Sequence, residues 1–170
     1  MANTYELIDK NILTSTQTSV TFSSIPSTYT DLILKLSVRD SRTLEVSDIR
    51  FNFNGSGVGV NISGKYLYGS GSSTSSSNIG ANGELAFGDG NASTSSVFGN
   101  AEVYIPNYAG SNYKSISSDS VAENNGTAGY GLLLAGLWSN TAAINSIAMT
   151  PFTSPFLSGS SFYLYGIKNS

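Results

Sequence analysis

The chain has 170 residues, of which only 11% are charged, with a net charge of −3 and neither histidine nor cysteine. Eight basic side chains are too few for the cationic stripe that neutralises phosphates or grips anionic lipid, so neither nucleic acid nor membrane is expected as a partner. Without histidine or cysteine, Ser-His-Asp triads, Cys-His pairs, disulfides and conventional zinc sites are unavailable.

Low charge in this chain does not mean disorder. It has 10 Tyr, 8 Phe and 1 Trp, large groups that need an interior. Its length fits one domain with one core. The start, Met1-Ala2-Asn3-Thr4-Tyr5-Glu6, has neither the basic residues nor the apolar run of a signal peptide, and no apolar stretch approaches bilayer length. Residues 1–18 read as an N-terminal arm with a first strand, and 19–170 as a single β-sandwich domain.

Within that domain the pattern has period two. Ser19 to Phe22 is a short strand, ended by the turn around Pro26. In Asp31–Arg39, residues Leu32, Leu34, Leu36 and Val38 alternate with polar neighbours, Ile33 excepted, which predicts a half-buried strand. Asp40 to Ser47 reads as an exposed loop of mixed charge. Ile49, Phe51 and Phe53 resume the alternation, and Asn54-Gly55 supplies a turn. Lys65 to Tyr68 is the next strand.

From Gly69 to Ser96 the sequence is dominated by serine, glycine and asparagine, interrupted by Glu84-Leu85-Ala86-Phe87. That composition predicts one long loop excursion, 69–96, with Leu85 and Phe87 as its apolar foothold. Further strands are expected at Glu102–Ile105, Tyr113–Ser118, Tyr130–Trp138, Ile144–Met149 and Phe162–Ile167, with a weak helical turn near Asn140–Ala143. The expected interior comprises Leu32, Leu34, Leu36, Val38, Ile49, Phe51, Phe53, Val103, Ile105, Ile147 and Leu164. The fold class is therefore all-β, a single antiparallel sandwich.

Little chemistry survives these absences. Glu84, Asp89, Glu102, Asp119 and Glu123 could in principle supply the carboxylate pair of a glycosidase, but no spacing selects a pair. Gly88-Asp89-Gly90-Asn91 lacks the alternating ligands of a calcium loop and reads as a plain turn. No catalytic residue, metal ligand or cofactor is assigned, and the protein is expected not to be an enzyme. Tyr66, Tyr68, Tyr104, Tyr108, Tyr113 and Tyr130 could form sugar platforms, although tyrosine also suits half-buried strands.

Two segments resemble a known group. One runs from Ser19-Val20-Thr21-Phe22 through Asp31-Leu32-Ile33-Leu34 to Phe51-Asn52-Phe53-Asn54-Gly55. The other runs from Gly136-Leu137-Trp138 through Thr141-Ala142-Ala143-Ile144 to Pro151, and ends Ser160-Ser161-Phe162-Tyr163-Leu164-Tyr165-Gly166-Ile167. Together they resemble small virion-associated proteins of tailed bacteriophages of aquatic and cyanobacterial type. The resemblance implies a jelly-roll type of sandwich displayed on the head or tail of a particle made in the host cytoplasm, and carries no functional residues with it.

The expected function is that of a capsid decoration or cement protein acting by contact between subunits, with the arm from Ala2 to Thr18 and the 69–96 excursion as bridges. The alternative is a tail, baseplate or fibre component that binds host surface glycans. The expected partners are the major capsid protein or other virion subunits and further copies of the chain, with a trimer the expected homo-oligomer. Candidate docking or glycan contacts are Arg39, Arg42, Glu45, Tyr66, Tyr68, Leu85, Phe87 and Tyr108.

Overall fold

A computed structural model describes residues 4–71, 73–80, 82–126 and 129–168. Among these the chain forms twelve strands and no helix. In chain order they are β1 (Tyr5–Ile12), β2 (Val20–Phe22), β3 (Asp31–Val38), β4 (Val46–Phe53), β5 (Ile62–Ser70), β6 (Ser73–Asn78), β7 (Glu84–Asp89), β8 (Gly99–Pro106), β9 (Lys114–Ala122), β10 (Tyr130–Trp138), β11 (Ile147–Pro151) and β12 (Ser161–Ile167). A large sheet has the order β1-β12-β3-β8-β9-β10-β5-β6, a small one β2-β11-β4-β7, and every strand pairing is antiparallel. The eight-and-four division leaves the jelly-roll expectation without support, since that topology is built from eight strands in two Greek keys.

Alternation sets the interior. All eleven residues expected inside are buried, from Leu32 and Leu34 on β3 to Leu164 on β12. Phe53 joins the aromatic stack between the sheets, with its ring centroid 6.1 Å from that of Phe51 and 5.3 Å from that of Trp138. Each such side chain contributes about 1.5–3 kcal/mol when fully buried. Ile33, out of step with its neighbours, lies on the outer face of the large sheet but is still buried, flanked in register by Tyr165 and Tyr104.

The two segments quoted for their resemblance form one unit. β12 pairs with β3, β11 pairs with both β2 and β4, and Asn54 binds the chain between β10 and β11. In the Asn54-Gly55 turn both residues have positive φ, 56° and 68°. The Asn54 side-chain oxygen accepts from Asn145 N and Ser146 N, and its amide donates to Ala143 O. The expected helical turn at Asn140–Ala143 is absent. There the Asn140 side chain accepts from Ala142 N, a local bond that competes with helix.

The 69–96 region departs most from expectation. It is not one long loop but contains two strands. β6 pairs with β5 from Lys65↔Asn78 to Ser70↔Ser73, and β7 forms the edge of the small sheet against β4. Here the pairing offered by neighbouring strands overrides a linker-like composition. β7 lies so close to the large sheet that a Cβ on Gly99 would come within 2.7 Å of Asp89 N. The N-terminal arm is likewise part of the sheet: β1 pairs with β12 at the opposite edge, and only the first three residues of the arm lie outside the described residues.

Candidate functional site

The expected contact residues separate into two groups. Arg39, Leu85 and Tyr108 are interior residues, not surface contacts. The Arg39 guanidinium is satisfied by four carbonyls of the β7–β8 connection: Thr94 O and Val97 O at 2.8 Å, Ser93 O at 3.0 Å and Asn91 O at 3.2 Å. Leu85 fills the space against Gly136, and the buried Tyr108 donates its hydroxyl to Pro26 O at the edge of the core. Asp40, expected in an exposed loop, is buried as well. It accepts from Ser47 Oγ and Arg42 N, and burial pushes its carboxyl above the ordinary range against those two bonds.

Arg42, Glu45, Tyr66, Tyr68 and Phe87 come together. They line a cleft of about 360 Å³ where the β5–β6 hairpin passes the β7 edge of the small sheet, and Tyr130 joins them from β10. Alternation explains the convergence. Tyr66 and Tyr68 are two residues apart on β5, so both point to one side, and the register places Tyr68 opposite Leu132 and Tyr66 opposite Leu134. Phe87 is the register partner of Asp48 and, like Arg39 and Leu85, is buried, so it forms the floor of the cleft and not an exposed contact. Tyr66 packs on it at 5.5 Å, Tyr68 lies 5.8 Å from Tyr66, and Tyr130 lies 6.2 Å from Tyr68.

Charged groups form the opposite wall. Arg42 is ion-paired to Asp48, and its guanidinium lies 5.2 Å from the Phe152 ring centroid. Glu45 accepts from the Asn124 side-chain amide at 3.1 Å. Asp48, Tyr66 and Phe87 also line a second, adjoining hollow of about 320 Å³, bordered by Asn78, Asn82 and Glu84. Of the other tyrosines considered, Tyr104 bonds Asp31 on the outer face of the large sheet and Tyr113 is exposed elsewhere.

A second surface lies on the outer face of that sheet. One register row crosses it as Tyr163, Lys35, Glu102, Asp119, Leu133, Leu67 and Ser76. The row is polar in its middle, where Lys35 and Glu102 form an ion pair at 2.7 Å, and apolar toward β6. Leu133 and Leu67 sit side by side, 64% and 60% exposed. Next to them Gly131 and Gly69 face each other, and a Cβ on either would meet nothing within 4 Å.

Lys114 carries no signal in the sequence that marks it as structural. Its amine is buried against the Trp138 ring and donates to Gly110 O, Asn112 O and Thr141 O, tying two loops together. Among the described residues, no group of three or more acidic side chains is placed to hold a metal ion, and no helix is long and apolar enough to cross a membrane. No protein-family model matches the chain, and no curated protein matches it.

Proposed function

We propose that the chain is a non-enzymatic virion protein of a tailed bacteriophage, a decoration protein that acts by contact with the major capsid protein or other virion subunits and with further copies of itself. The observation that carries this reading is the bare outer face at Leu67 and Leu133, beside the uncovered edge strand β6. Neighbouring apolar side chains left open on a rigid sheet suit a protein partner. β6 offers unpaired backbone donors and acceptors along its free side, with no charge, proline or bulge to block strand addition. Such contacts are individually weak and gain strength from many copies on one particle.

The test is quantitative mass spectrometry of salt-washed particles, with copy number measured against the major capsid protein. The reading expects retention through the wash at a copy number comparable to that of the capsid subunits. Retention at only a few copies would place the protein in the tail, baseplate or fibre. Absence from washed particles, with the chain free in the lysate, would overturn the virion role.

A further inference from the structure

We propose that the tyrosine cleft between the β5–β6 hairpin and β4 binds an uncharged oligosaccharide. This inference stands on the cleft alone and survives if the contact role on a particle fails. Three features converge on it.

The first is the mixed character of the cleft. Tyr66, Tyr68 and Tyr130 present half-buried rings in a connected series. A pyranose has a flat C–H face and a rim of hydroxyls, so it needs an aromatic surface with hydrogen-bonding groups at its border. None of these three phenols hydrogen-bonds another described residue, which leaves all three hydroxyls available to a ligand.

The second feature is charge. Arg42 is paired with Asp48, and Arg50 is the register partner of Glu84 and shares the Phe152 ring with Arg42, so Glu45 leaves the two hollows with one carboxylate in excess. Carboxylates accept bonds from sugar hydroxyls, and their excess repels anions.

The third feature is length. The two hollows share Asp48, Tyr66 and Phe87 in their walls, so they lie side by side. Each falls within the usual size range of a small-molecule site. A linear chain of sugar units spans both hollows, whereas a single ring occupies only one. The walls are fixed before any ligand arrives: Arg42 is held by Asp48 and Phe152, and Glu45 by Asn124. Such pre-organisation lowers the ordering cost of binding.

The test is a titration of the ¹⁵N-labelled full chain, followed by NMR, with maltotriose, cellotriose, mannotriose and chitotriose as neutral probes and trigalacturonate as the anionic one. At least one neutral probe should shift resonances of residues 42–48, 66–70 and 130–132, with a dissociation constant of about 1 mM or tighter. Tyr68→Ala should weaken that binding by about tenfold or more, and Tyr68→Phe by less. Glu45→Gln, which leaves the aromatic packing intact, should also weaken it, and serves as the deciding variant if Tyr68→Ala does not fold. No shift with any neutral probe, shifts insensitive to these substitutions, or equal binding of trigalacturonate would overturn the proposal.

Discussion

Leu34 and Leu133 are leucines on strands of the same sheet, yet one is fully buried and the other 64% exposed. Leu34 belongs to the half formed by β12, β3 and β8, whose inner side chains Phe162, Leu164, Leu32, Leu36, Val103 and Ile105 are all buried in the sandwich. Leu133 belongs to the half formed by β10, β5 and β6. There β10 still sends Leu132, Leu134 and Trp138 inward, but β5 contributes half-buried tyrosines and β6 is exposed throughout. The first half holds the fold together. The second has surface to spare, with apolar residues open on its outer face and a cleft on the other.

The edges of the sheet repeat the contrast. β1 carries Glu6, Asp9 and Lys10, and its register with β12 slips between Leu7 and Asp9, so charge and a bulge both discourage further pairing. β6 pairs without interruption and consists of Ser73-Thr74-Ser75-Ser76-Ser77-Asn78. One edge is closed to a new strand and the other is open.

Substitutions should divide along this boundary. The largest effect is expected in the covered interior that both sheets share: Phe51→Ala, on the small sheet, should cost about 3–5 kcal/mol in urea unfolding, through lost burial and the cavity left behind. Leu133→Ala should stay within about 0.5 kcal/mol, because its side chain is already in water. Comparable costs for the two would erase the contrast. Next comes Arg39→Leu, which strips four buried or half-buried carbonyls of their donor and should cost at least about 2 kcal/mol.

A pH effect should follow from the same buried cluster. Asp89 is fully buried, with no hydrogen bond of normal geometry to either oxygen, and burial pushes its carboxyl up against the pull of the Arg39 charge. Asp40 is pushed up in the same direction. A raised folded-state pKa means that the native state holds the proton more tightly than the unfolded chain. The contribution of these two groups therefore grows as pH falls through their folded values, is complete below the ordinary value of 3.8, and is lost as pH rises. Asp89→Asn should flatten this dependence in unfolding midpoints measured from neutral to acidic pH. An unchanged slope would show that the carboxylate is solvated after all.

The smallest effect on stability is expected at the open groove. Gly69→Thr and Gly131→Thr place side chains into empty space on the outer face, so unfolding midpoints should move by no more than about 0.5 kcal/mol. If the chain has the proposed decoration role, retention on particles should nevertheless drop, because the flat floor beside Leu67 and Leu133 is filled. Full retention of the double variant would move the contact surface elsewhere.

The interior was legible in the sequence because burial on one face writes a period of two. Leu32-Leu34-Leu36-Val38 and Ile49-Phe51-Phe53 could be assigned to the interior from spacing alone. β6 was not legible for the same reason reversed. With both faces in water nothing selects an alternation, and its serines read as linker until the free edge of β5 supplies a partner. The cleft was partly legible. The spacing of Tyr66 and Tyr68 puts them on one side of a strand, but their meeting with Arg42, Glu45 and Phe87 depends on how the hairpin passes β7. Arg39 was not legible as an interior residue, because charge alone predicts exposure and the carbonyls that allow its burial lie more than fifty residues downstream.

Hydrogen exchange on the free chain and on the chain bound to particles tests most directly whether the open half of the large sheet is the contact surface. Bound chain should gain protection at β6 and at the neighbouring stretches of β5 and β10, around Leu67 and Leu133, while β1 and β3 exchange as they do in the free protein. Protection gained at β1 instead, or equal exchange everywhere in the two states, would contradict that assignment.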